Sequence, residues 1–109
     1  MLATGCLEER PRPAPPLLRV TLHQTQVTSP DTFTGTIRAE DVDGIDSVWV
    51  TVDDERAGED GFFETVVVMP FRFLISPGLP STTVLPVRIE ARDIAGFSTT
   101  LDTIIVVVP

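Results

Sequence analysis

Residues 48–53 read Val-Trp-Val-Thr-Val-Asp, an alternation in which every second residue is a valine. Successive side chains of a β-strand point to opposite faces, so Val48, Val50 and Val52 would share one face. A period of two with β-branched residues on one side is typical of a strand that packs that face on a core. This stretch therefore predicts a β-strand, and the same period continues on both sides of it.

Six further segments predict strands, because they alternate or are short apolar runs, and no segment of ten residues has an apolar stripe at helical spacing. Turn-forming groups such as Asp43-Gly44 and Ser76-Pro77-Gly78 separate them. The resulting fold class is all-β, a seven-stranded antiparallel β-sandwich. Its strands are expected at residues 18–23, 33–40, 48–53, 62–69, 71–75, 87–92 and 101–108.

The first sixteen residues differ in composition from the rest of the chain. They contain Pro11, Pro13, Pro15 and Pro16, which fix φ and remove backbone donors. An extended, Pro-rich N-terminal tether is therefore predicted for residues 1–16, and a single β domain for residues 17–109.

Two stretches resemble bacterial immunoglobulin-like domains. Residues 39–53, AEDVDGIDSVWVTVD, are similar to the B–C region of those domains, and residues 87–97, VRIEARDIAGF, are similar to their F–G corner. Phe97 departs from the pattern, since asparagine is common there. The resemblance covers residues 17–109 and implies an immunoglobulin-like sandwich, with cadherin-like and fibronectin-like sandwiches as neighbours. It implies no single function.

The extreme N-terminus resembles the lipobox of bacterial lipoproteins. Gly5 precedes Cys6 as the small residue of that motif does, whereas Ala3 stands where leucine is usual. A basic and apolar leader would have to precede the cysteine, and only five residues do, so the start or the trimming of the sequence is in question. The resemblance implies lipidation of Cys6 and a membrane-anchored lipoprotein of the bacterial cell envelope.

Acidic residues are concentrated in one part of the chain. Residues 40–60 hold nine acidic residues and one arginine, which equals the whole net charge of −8. Such a surface disfavours nucleic acid and anionic membranes as partners, so membrane contact is expected only through a lipid anchor at Cys6. One acidic group is predicted at each end of the central strand, the second as a solvated loop over residues 53–60.

Asp41, Asp43 and Asp93 are the candidate metal ligands. The two predicted turns that contain them belong at the same end of a sandwich, and clustered loop carboxylates can bind Ca²⁺. The alternative is structural, because aspartates in turns also accept backbone hydrogen bonds. No cofactor is expected apart from this possible calcium.

Trp49 is the candidate binding residue. The valines on either side of it are expected to face the core, so its indole should face outward. Exposed tryptophan is frequent in interaction surfaces and in surfaces that stack on sugars. The alternative is a partly buried indole covered by a loop or by a neighbouring arginine.

No catalytic constellation is evident. His23 is the only histidine and Cys6 the only cysteine, and the tether separates them. The sequence therefore predicts a non-catalytic envelope module with a structural or protein-binding role, whose expected partner is an envelope protein or other immunoglobulin-like domains. A calcium-dependent adhesion module and a carbohydrate-binding module are the alternatives.

Overall fold

The computed structural model describes residues 14–109, which form six β-strands and no helix. No helix able to cross a membrane was found in that range. Cys6 and residues 1–13 of the predicted tether lie outside the described residues. The strands are β1 (Leu17–Leu22), β2 (Gln26–Thr28), β3 (Thr32–Val52), β4 (Glu55–Leu74), β5 (Val84–Asp93) and β6 (Ser98–Val108).

All six strands belong to one sheet, and the long strand β3 organises it. Along one edge of β3 lies β4, antiparallel over nearly the whole length of both strands. Along the other edge lie β1, beside the first half of β3, and β5, beside the second half. Next to β5 comes β6, and β2 closes the order.

The sheet curls at the middle of β3. The pairing with β4 shifts register between Glu40 and Ile45 and again before Ser47, which is the sign of β-bulges. Residues from both halves of β3 belong to one buried cluster, so both halves of the sheet contribute to a common core. Fully buried members of this core are Phe33, Ile37, Ile45, Val48, Val50, Ile89 and Ile105.

The structure has six strands where the sequence predicts seven. Two pairs of predicted segments are continuous, since residues 33–40 and 48–52 are parts of β3, and residues 62–69 and 71–74 are parts of β4. Asp43-Gly44 makes no chain reversal but lies in the bulged part of β3, with Gly44 at a φ of 99°. Pro70 does not interrupt β4, because β4 is an edge strand and an edge tolerates a missing N–H.

The prediction of a solvated loop at residues 53–60 is wrong. Val52 pairs directly with Glu55, so only Asp53 and Asp54 form the turn, and Asp53 takes a φ of 56°. The chain then runs back as β4, and Asp60 pairs with Ser47. The second acidic group therefore extends along β3 instead of marking its far end. A solvent-facing edge strand can carry charged residues throughout, which removes the apolar alternation of a half-buried strand.

Two features at the other edge of the sheet also differ from expectation. The short strand β2 pairs with β6 in parallel, so the sheet is not wholly antiparallel. It covers the free edge of β6 at Val106–Val108, where the sequence has apolar residues on both faces. In addition, β5 begins at Val84 instead of at the predicted Val87. Pro86 is accommodated just beyond Val87, which forms the last pair of β5 with β3; there its carbonyl accepts the N–H of Asp53 at 2.9 Å, and no pair of the two strands requires its missing N–H.

Candidate functional site

Three carboxylates meet at the end of the sheet where β3 is bulged. Asp41 and Asp43 lie in the bulge, and Asp93 ends β5. One carboxylate oxygen of each residue lies within 4.8 Å of the oxygens of the other two. The structure thus brings together the three residues that the sequence predicts as candidate metal ligands.

Asp93 is held rigidly by the turn that follows it. Its backbone N–H donates to the carbonyl of Phe97 at 2.9 Å, and its Oδ1 accepts the Phe97 N–H at 2.8 Å. The next residue, Ile94, donates its N–H to the carbonyl of Gly44 at 3.0 Å, which joins this turn to the bulge of β3. The carboxylate of Asp93 is therefore fixed beside the bulge by both its own turn and β3.

Asp41 is arranged by its own loop and affected by its neighbours. Its Oδ1 accepts the backbone N–H of Asp43 at 2.8 Å, an Asx turn that rigidifies the bulge. Burial raises the pKa of the Asp41 carboxyl above its usual value, and the nearby carboxylates of Asp93 and Asp43 raise this pKa further, although the Asp43 N–H opposes them. The charged form of Asp41 is thus disfavoured by this site.

Trp49 lies on the face of the sheet opposite that of Val48 and Val50, and its side chain is half-buried. The guanidinium carbon of Arg56 stands 4.2 Å from the centre of its ring, a cation–π contact across the β3–β4 pair. Gly58 is the direct pairing partner of Trp49, and the lack of a side chain there lets the indole lie close to β4. This packing corresponds to the second interpretation of Trp49 from the sequence, in which an arginine of a neighbouring strand covers the indole ring.

The outer face of β4 was not singled out from the sequence. Val66 and Val68 are 41% and 57% exposed, and Leu74 is 65% exposed, in a row that points away from the core. In the sequence these residues belong to the apolar run 62–69 and resemble core residues. Only the position of β4 at the sheet edge reveals that every second member faces solvent.

Fold and site together describe an all-β chain built as one curled sheet, with a carboxylate cluster at the bulge of β3. Neither a protein-family model nor a curated protein matches this chain. Solved structures similar to it include the following two. One is the PKD domain of an M14-like peptidase from Thermoplasmatales archaeon SCGC AB-540-F20, with a TM-score of 0.68 and 17% identity, covering 90% of this chain and 100% of that one.

The other similar structure is Spo0M, a sporulation control protein from Bacillus subtilis. It has a TM-score of 0.64 and 13% identity over 88% of this chain and 50% of that chain. At these identities the likeness concerns the fold alone. The PKD domain has an immunoglobulin-like β fold, which supports the same fold for this chain.

Proposed function

We propose that this chain is a non-catalytic interaction module of the bacterial cell envelope, which binds an extended strand of a partner protein along β4. The observation that carries the proposal is the open edge of β4. Among residues 14–109 this strand of 20 residues pairs only with β3. A long unpaired edge presents free N–H and C=O groups, which a partner strand can complete.

Pro70 limits the part of β4 that can be extended. It stands within the strand at an edge, where a proline is tolerated because its missing N–H faces outward. The backbone beyond it therefore offers an interrupted ladder to a partner. The proposed docking segment is residues 55–68, on the near side of this proline. Positive φ angles of 78° at Gly61 and 54° at Phe63 divide it into two extended stretches, residues 55–60 and 64–68.

The charge of the docking segment selects the partner. Residues 55–64 carry the acids Glu55, Glu59, Asp60 and Glu64 and a single base. The base, Arg56, is turned over the ring of Trp49. Like charges opposite one another destabilise a strand pair, so pairing with a second copy is disfavoured over this half. A partner strand with basic residues beside apolar ones fits best.

An apolar contact surface adjoins the acidic half. The exposed valines Val66 and Val68 follow directly along β4, and Val66 also lines a shallow groove with Leu17 and Val42. An aliphatic row beside an open ladder allows side-chain contacts to add to backbone pairing.

Substituting one exposed valine tests this function. A Val68→Arg variant places a charge in the apolar row and repels a basic partner, so partner capture from envelope extract is expected to fall at least tenfold. The matched control is Thr21→Arg, because Thr21 is exposed on the other edge of the same half of the sheet. Quantitative mass spectrometry of the captured proteins gives the ratio, and equal capture by both variants contradicts the proposal.

The proposed localisation in the cell envelope is based on the lipobox-like residues around Cys6, which lie outside the described part of the chain. The proposal includes lipidation of this cysteine, with residues 7–16 as the tether. Metabolic labelling with a radioactive fatty acid tests it. The expressed gene should yield a labelled protein, and a Cys6→Ser variant should yield none. Equal labelling of both proteins, or of neither, contradicts the anchor.

A carbohydrate-binding function is less well supported by the geometry. Stacking of a sugar requires an open indole face, whereas the guanidinium of Arg56 lies over the ring of Trp49. The indole therefore already has a stacking partner within the chain.

A further inference from the structure

The carboxylate of Asp93 is buried without a complete set of partners. The residue is 1% exposed, and its Oδ1 accepts one backbone N–H. Its Oδ2 is buried and has no hydrogen-bond partner among residues 14–109. A buried carboxylate oxygen that lacks a donor or a cation is costly, so buried groups of this kind call for a ligand.

The groups around Asp93 Oδ2 are themselves negatively charged, so a cation there would be stabilising. Asp93 forms a cluster with Asp41 and Asp43, so two further carboxylates have an oxygen within 4.8 Å of one of its own. Three negative charges at this separation repel one another strongly when one of them is buried. No arginine forms an ion pair with any of the three among the described residues, since the recorded pairs join Arg38 to Glu40 and Arg88 to Asp102.

The donor atoms define the class of ligand. All three side chains offer carboxylate oxygens, with no nitrogen or sulfur donor, which suits a hard divalent cation rather than zinc. Two oxygens on one Ca²⁺, each at about 2.4 Å, lie at most about 4.8 Å apart. The three oxygens lie within that span of one another, so one ion can reach them all with little rearrangement.

We propose that Asp41, Asp43 and Asp93 bind Ca²⁺ and that the ion clamps the bulge of β3 to the turn between β5 and β6. The remaining coordination positions are filled by water or backbone carbonyls. The Asx turn at Asp41 and the hydrogen bonds of Asp93 orient two of the ligands in advance. Asp41 also lines the groove beside Val66, whereas Asp43 and Asp93 do not. Calcium binding by the purified protein requires no partner, so its outcome is distinguishable from that of the strand-docking function.

Thermal unfolding with and without calcium, at constant ionic strength, tests the site. At calcium about 100-fold above its dissociation constant, the melting temperature should rise by at least about 5 °C. Isothermal titration calorimetry should show one saturable site. Asp43→Asn and Asp93→Asn variants should lose both signals, and without calcium they should melt no lower than the unsubstituted protein because each relieves repulsion.

The control is Asp54→Asn, which removes one negative charge from the remote β3–β4 turn and should keep the full calcium response. The absence of a rise in the unsubstituted protein overturns the assignment. So does a rise that both Asp43→Asn and Asp93→Asn retain, because it would then come from general screening. A response to Mg²⁺ as large as that to Ca²⁺ contradicts the choice of ion.

Discussion

A Gly58→Ala substitution is expected to destabilise the protein by about 3 kcal/mol or more. Gly58 lies in β4 opposite Trp49, and a Cβ there would stand 2.8 Å from the Cα of Trp49 and 2.7 Å from its ring carbon Cε3. It would also overlap the carbonyl oxygen of Val48. Because two of these neighbours are backbone atoms of the central strand, no side-chain rotation can relieve the overlap, and β4 must move away from β3.

The matched control is Gly78→Ala. Gly78 has a φ of 81°, and a Cβ there would meet nothing within 4 Å, so the substitution adds backbone strain without overlap. Its cost should be about 1 kcal/mol. Urea denaturation of both variants measures the difference, and equal free energies of unfolding would show that the close β3–β4 approach at Trp49 is wrong.

The second large effect is expected for Phe33→Ala, with a loss of about 3–5 kcal/mol. Phe33 is fully buried in the first half of β3 and packs edge-to-face on Phe71, with ring centres 5.3 Å apart. The substitution leaves a cavity between the two halves of the curled sheet. A loss of this size is a large fraction of the total stability of a small domain.

Phe63→Ala is the control for the loss of an aromatic ring. Phe63 is 70% exposed and has a φ of 54°, so its removal should change the free energy of unfolding by less than about 0.5 kcal/mol. Calorimetric melting of both variants gives the comparison. Similar losses at both positions would contradict the assignment of Phe33 to the core and Phe63 to the surface.

The sequence predicts the strands well wherever one face is buried and the other is not. The alternation around Val48 and Val50 and that around Ile89 both correspond to strands whose alternate residues are fully buried. A period of two in hydrophobicity arises when one face of a strand is buried and the other is exposed, and both of these strands are buried on one face.

The prediction fails where this condition does not hold. Residues 55–60 form a strand at the edge of the sheet with nearly every residue exposed. Their charged, non-alternating sequence therefore resembles the sequence of a surface loop. Conversely, Val66 and Val68 belong to an apolar run yet face solvent. Which face of an edge strand is exposed depends on the neighbouring strands, and that information is not local.

The residues of the candidate metal site could be predicted from the sequence, whereas their hydrogen bonding depends on the three-dimensional fold. The positions of Asp41 and Asp43 beside Gly44 follow from the local pattern, and the predicted turn after residue 92 places Asp93 at the same end. The missing hydrogen-bond partner of Asp93 Oδ2 does not follow from the sequence. It depends on how the turn after β5 packs on the bulge of β3.

The most direct test of the proposed function is site-specific photo-cross-linking in cells that express the protein. A photoreactive amino acid is placed at residue 68 in the exposed row of β4, and in a second strain at residue 21 on β1. We expect a light-dependent adduct with one partner protein from position 68 and none from position 21. No adduct from position 68, or equal adducts from both positions, would contradict the assignment of the β4 edge as the binding surface.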